Sequence, residues 1–199
     1  MTPAAWALRL HDAADEVFWA AKLSLLWTLG TLAGGVLLGV GPATLAAYTV
    51  ARRHAAGEPE SFPRAYRNEF KRGSAIVLPL FGTALLLLTN YHWLTDRNAK
   101  AATIAALGIV AVIAAYLLPM AVHYDLRTPA LLPKASLFAL LRLPASALLL
   151  FCLIAIGYAV RAYPVLLVVA VGGWIQLDTW LCLRLFAENE ALRKAKGLT

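Results

Sequence analysis

Asp178 is the only acidic residue in an apolar stretch running from Pro164 to Phe186, with Gln176 and Thr179 beside it. It stands eight residues before Phe186, roughly 12 Å inside the stretch at the rise of an α-helix. A charge at such a depth in lipid costs about 2.5–3.5 kcal/mol on insertion scales, so the group must pair, protonate or line a wet cavity. Arg184, six positions on, points away on a helix, and Arg142 at the mouth of the preceding apolar stretch is the expected partner. Two readings stay open: a proton or cation site shared with Gln176 and Thr179, or a structural pair between helices. Lys22 lies inside another apolar stretch, where its long stem suits snorkelling to the interface. His123, Tyr124 and Asp125 suggest acid–base chemistry by type, yet adjacent residues on a helix do not face one another. HExxH, GxSxG and Walker-type patterns are absent, and His11, His54, His92 and His123 are dispersed. The expectation is therefore a chain with no metal, no cofactor and no catalytic residue. Cys152 and Cys182 sit alone in apolar runs and read as packing.

What must position these groups is a membrane. Of 199 residues, 61% are hydrophobic and only 15% charged, far from the balance of a water-soluble domain. A helix needs about 20 apolar residues to cross the hydrocarbon core. Five stretches meet or approach this: Val17–Val40, Ser74–Trp93, Ala101–Val122, Pro144–Val160 and Pro164–Phe186. They lack the alternation of barrel strands, so the expectation is an all-α, polytopic transmembrane bundle, one domain over 1–199, with short interfacial amphipathic helices. No basic region precedes the first stretch, which argues against a cleaved signal peptide.

The 18 Lys and Arg divide unevenly. All but Arg9, Lys22, Arg97, Lys100 and Arg161 fall on what five crossings make one side. The positive-inside rule assigns that side to the cytoplasm, with the N-terminus outside and the C-terminus within. Scattered charges of this kind read as topology signals and contacts to anionic headgroups, and not as a nucleic-acid surface. Tyr91, His92 and Trp93 then form an aromatic belt at the outer face. The cytoplasmic connection 43–72 is the longest. Pro42 suits the first turn of a helix, and Ala43–Arg53 is expected to lie at the interface. In the next segment Phe62, Tyr66 and Phe70 recur every four residues beside Arg64, Arg67, Lys71 and Arg72. That pattern predicts an amphipathic helix serving as a lipid anchor or as a docking surface for a partner. Trp6, Leu10, Ala14 and Val17 make a similar face near the N-terminus. Ile76-Val77-Leu78-Pro79 echoes the end of the loop motif of ABC permeases, but its acidic and glycine positions are missing, so a permease subunit is not expected.

Two GxxxG patterns, Gly30/Gly34 and Gly35/Gly39, fall in the first stretch, and the third is rich in Ala. Small residues allow close backbone approach in lipid, so these two spans are expected to pack centrally. A compositional bias toward Ala and Gly, or the use of the same faces by a second copy in a homo-oligomer, are the alternatives.

From Leu23 to Arg52 the chain resembles the YesL-like family of bacterial integral membrane proteins, a domain of unknown function. Leu25-Leu26-Trp27, the expected turn Gly39-Val40-Gly41-Pro42-Ala43-Thr44, and Arg52 carry the resemblance, which continues through Phe70-Lys71 and the YDL at 124–126. It implies a bacterial cytoplasmic membrane. Members of that family are often linked to carbohydrate uptake, which implies a non-catalytic accessory beside ABC importer subunits. A small oligomeric transporter or channel using Asp178 is the alternative. The resemblance carries no catalytic residue.

Overall fold

Backbone N–H and C=O groups in lipid find partners only inside their own helix or a closed barrel. Accordingly, the described residues of the computed structural model, 3–124 and 128–195, are helical almost throughout, with no strand among them. The helices are α1 Pro3–Ala33, α2 Leu37–Ala55, α3 Phe62–Asn68, α4 Phe70–Trp93, α5 Arg97–His123, α6 Thr128–Leu141, α7 Leu143–Ala162 and α8 Leu167–Ala195. A single 3₁₀ turn, Pro164–Leu166, leads into α8.

Two antiparallel hairpins match the expected spans closely. α4 and α5 are joined by a three-residue link, and Asp96 caps α5 by accepting the backbone N–H of Ala99 at 2.7 Å. α7 and α8 are joined at Tyr163-Pro164, where Pro can open a helix because its first N–H groups are unpaired anyway. Both hairpins show lipid-facing character: Leu86, Phe151, Ile154 and Tyr158 are exposed, and Trp93 at the hairpin end is 82% exposed.

The first expected span is not one crossing. Among the described residues, four helices are long and apolar enough to cross a membrane, Phe70–Trp93, Arg97–His123, Leu143–Ala162 and Pro164–Ala191. The stretch Val17–Val40 is cut after Ala33 by the turn Gly34-Gly35-Val36. Gly35 has φ +71° and Val36 φ +59°, both in the left-handed region, which Gly enters freely and Val at a steric cost. Gly34 and Gly39 face each other across the reversal. A Cβ on Gly39 would strike the carbonyl oxygen of Thr31, and one on Gly34 would strike the Gly39 backbone. Hydropathy is blind to such a turn because every residue in it is apolar or small.

α1 and α2 therefore lie antiparallel, with contacts from Thr31–Gly39 at the turn through Trp27–Thr44 to a stack of Trp19 on His54 at 3.9 Å. α1 is also antiparallel to α8: Glu16 meets Gln176, and Ser24 accepts the backbone N–H of Gly172 at 2.7 Å. The expectation that the chain ends lie on opposite sides rested on an unbroken first span. With the reversal, α1 and α8 point their Pro3 and Ala195 ends the same way.

Three further expectations change. Ala43–Arg53 is not an interfacial helix but part of α2, the most enclosed element, with Ala43, Leu45, Ala46, Ala47 and Tyr48 at 0–1% exposure. Residues 39–44 are not a turn; they form its first helical turns, with Pro42 inside. The expected packing of the first and third spans also fails, since α1 packs on α2 and α8 while α5 packs on α4, α6 and α2. A helix absent from the sequence reading, α6, fills the connection between α5 and α7.

Candidate functional site

Three of the polar residues of α2 sit four apart. Thr44, Tyr48 and Arg52 each reach a different neighbour, and together they tie the helix into the bundle. Thr44 Oγ1 accepts from Trp27 Nε1 of α1 at 3.0 Å and donates to Val40 O at 2.7 Å. Tyr48 donates its hydroxyl to Asp178 Oδ2 of α8 at 2.6 Å. Arg52 Nη1 donates to the carbonyl of Val122 in α5 at 2.7 Å. The small residues between them let these helices close in. A Cβ on Gly41 would meet the Gly73–Ser74 backbone of α4 within 3 Å.

Asp178 is wholly buried, and its partner is not Arg142. Its other oxygen is 3.7 Å from Cys182 Sγ, whose thiol also lies 3.6 Å from the Ala115 carbonyl of α5. Arg142 instead pairs with Glu188 at 2.9 Å, half in solvent, because it caps the start of α7 well beyond Asp178. The carboxyl group in this core has hydroxyl and thiol partners, and no cation lies within ion-pair distance among the described residues. Thr179 is buried with its hydroxyl unpartnered, while Gln176 points to Glu16 on α1. The three polar residues grouped by sequence thus face three surroundings. Lys22 is exposed and lies 5.4 Å over the Trp19 ring.

His123 contacts Glu190 at 3.7 Å, and Tyr124 reaches the same carboxylate at 3.2 Å. Asp125 lies outside the described residues, as do Leu126 of the YDL, Arg127 and Lys196; the side chains of Trp6 and Leu10 are likewise not described. No cluster of metal-ligating residues occurs among the described residues.

The segment expected to dock outward does so with only half its residues. Phe62 and Ala65 are buried, and Phe62 and Tyr66 lie beside Gly30 and Gly34 of α1. The Tyr66 hydroxyl is enclosed without a partner, and burial pushes its pKa above the ordinary value. Arg64, Arg67 and Lys71 point outward, and Phe70 is partly exposed. An apolar cleft of about 1110 Å³ opens between α4, α5, α6 and α7, lined among others by Thr44 of α2, Phe81, Gly108, Val112, Leu140 and Leu150. Asp178 does not line it.

Tyr48 is the site residue that sequence reasoning missed, and Arg52 stood there only as part of the family resemblance. Their signal was the four-residue spacing of Thr44, Tyr48 and Arg52 on a helix whose other buried residues are small or aliphatic. A helix of that kind is buried against neighbours on several sides, not resting on a surface.

Four apolar crossing helices around this polar core define an all-α, multi-pass membrane protein. Residues 20–91, from the second half of α1 through most of α4, match the family described as "Protein of unknown function, DUF624". The chain is 34% identical over 146 residues to "Uncharacterized protein YesV" of Bacillus subtilis (strain 168), covering 67% of this chain and 69% of that protein. To "Uncharacterized protein YesL" of the same organism it is 28% identical over 153 residues, covering 73% and 68%. The chain belongs to this YesL-like DUF624 family. No solved structure matches it. The residues that carried the resemblance, Trp27, Gly39, Gly41, Thr44 and Arg52, are the ones that join α2 to α1, α4 and α5.

Proposed function

We propose that this chain is a non-catalytic membrane subunit of the bacterial cytoplasmic membrane that works beside an ABC-type importer of carbohydrates. The observation that carries the non-catalytic reading is the use of its buried polar groups. Tyr48, Asp178, Cys182, Thr44 and Arg52 are consumed in bonds between helices, and Asp178 is closed off from the one large cleft described. The carbohydrate assignment rests on the family resemblance. The apolar cleft between α4 and α7 is a surface that a membrane helix of an importer could fill. Arg142, Arg72 and Arg52 cluster with His123 and Tyr124 at the end where α4 and α7 start and α5 and α8 finish. We place that end in the cytoplasm by the positive-inside rule. The C-terminus then faces the cytoplasm, and α1 directs the N-terminus toward the same end.

Purification in mild detergent tests the assignment. Importer subunits should accompany the full chain; a single homogeneous species, with unchanged sugar uptake in cells lacking the protein, would contradict it. The transporter reading predicts that Asp178→Asn abolishes solute flux in proteoliposomes, whereas the present reading predicts no flux in the parent protein.

A further inference from the structure

The tip of the α1–α2 hairpin presents large apolar side chains to its surroundings. Leu29, Leu32, Val36, Leu37 and Leu38 are all more than half exposed. No charged residue occurs between Leu23 and Ala51, while Lys22 and Arg52 close the two ends. Gly34, Gly35, Val36 and Leu37 donate their N–H groups to the carbonyls of Gly30, Leu32, Thr31 and Gly35 at 2.8–3.2 Å. This is the pairing of a helix that ends on a left-handed Gly, so the observation that points to lipid is the row of exposed apolar side chains around it.

Beside the tip stands α3. Phe62 and Tyr66 press into the spaces left by Gly30 and Gly34, which fixes the short helix against the hairpin. With its aromatic side turned inward, α3 shows Arg64 and Arg67 outward, and Lys71 follows one turn on. None of the three has a carboxylate partner among the described residues, whereas neighbouring Arg53 is held by Glu60 at 2.8 Å. The crossing helix α4 begins at Phe70, directly after α3, so this surface adjoins the membrane border.

We propose that the α1–α2 tip and the cationic face of α3 form one composite surface that seats in an anionic phospholipid leaflet. The tip leucines enter the acyl boundary, and Arg64, Arg67 and Lys71 meet the phosphate groups above them. The apolar half of the contact thus comes from a different helix than the aromatic spacing in α3 suggests. Arg suits this role because its planar donors grip phosphate in pairs.

The test uses the full chain in nanodiscs of phosphatidylcholine with and without phosphatidylglycerol. Hydrogen exchange should slow in residues 34–38 and 62–71 when phosphatidylglycerol is present, and native mass spectrometry should find that lipid retained in preference to phosphatidylcholine. Each cation replaced in the series Arg64→Gln, Arg67→Gln, Lys71→Gln should reduce that preference about fivefold. Leu37→Asn/Leu38→Asn should raise exchange at the tip in both lipids. Equal exchange of the parent protein in the two compositions would overturn the proposal without recourse to any variant. Protection that appears only with a co-purified protein would overturn it too, assigning the surface to that protein.

Discussion

The two halves of the chain bury themselves in opposite ways. α4, α5, α7 and α8 form hairpins of long apolar helices whose side chains turn largely outward, as lipid allows. α1, α2 and α3 form a folded-back unit with close backbone contacts, in which α2 is nearly sealed from its surroundings. The glycines show the difference most sharply away from the seam, where Gly73 of α4 and Gly172 of α8 also press on the backbones of α2 and α1. A Cβ at Gly34, Gly39 or Gly41 meets backbone atoms, whereas Gly82 in α4 and Gly157 in α7 have nothing within 4 Å. Where lipid is the neighbour, side-chain size is free; where backbone is the neighbour, one methyl group is too much. Packing rather than hydropathy holds the N-terminal unit, as expected where lipid removes any hydrophobic gain between helices.

Substitutions can break this comparison. Gly39→Ala carries the largest expected effect, with overpacking of about 1–3 kcal/mol against Thr31 and a lower midpoint of thermal unfolding in detergent. Gly82→Ala is the matched control and should be neutral or stabilise by up to about 1 kcal/mol, because helical Gly is replaced in open space. Equal losses at both positions would remove the distinction between the halves.

Tyr48→Phe comes next. It leaves a buried carboxyl oxygen of Asp178 without its hydroxyl donor, at a cost of about 1–3 kcal/mol. Because the bond joins α2 to α8, faster hydrogen exchange should appear in both helices; a change confined to α2 would show that the two units are not coupled there. Arg142→Ala should do far less, about 0–1 kcal/mol, since its pair with Glu188 is partly solvated.

Glu69, at the join of α3 and α4, sharpens the comparison through pH. Burial raises its pKa above the ordinary carboxylate value, with Arg72 pulling it partly back, and one carboxylate oxygen has no partner. A raised value in the folded state means the protonated form is favoured by folding. Its stabilising contribution is then full below the unfolded pKa and lost as pH rises through the folded one. Unfolding midpoints measured from neutral to acidic pH should show a gain on acidification that Glu69→Gln removes.

The same contrast explains what the residues disclosed. The four crossing helices were legible because lipid-facing segments must be apolar along their whole length, and turns such as Thr95-Asp96 interrupt that plainly. The reversal at Gly34–Val36 was not, since a turn sealed against its own helices contains no polar residue to mark it. The GxxxG spacing marked small residues, but the close approach joins Gly34 of one pair to Gly39 of the other across the fold, and not the two members of either pair. Asp178 was legible as a costly position that needed a partner. Tyr48 escaped notice because a neutral hydroxyl does not stand out as a cation does. In α3 the period of four identified an amphipathic helix, yet it could not say which face the protein itself would cover.

The claim on which the rest depends is that α2 folds back along α1. Crosslinking of Trp19→Cys/His54→Cys by a short bis-maleimide, in a background with Cys152 and Cys182 replaced by serine, tests it directly. The rings of Trp19 and His54 stack with centroids 3.9 Å apart, which sets the two backbones side by side and predicts near-complete crosslinking within one chain in native membranes. Failure to crosslink, with spin labels at the two positions separated by the roughly 50 Å of an unbroken helix, would contradict it.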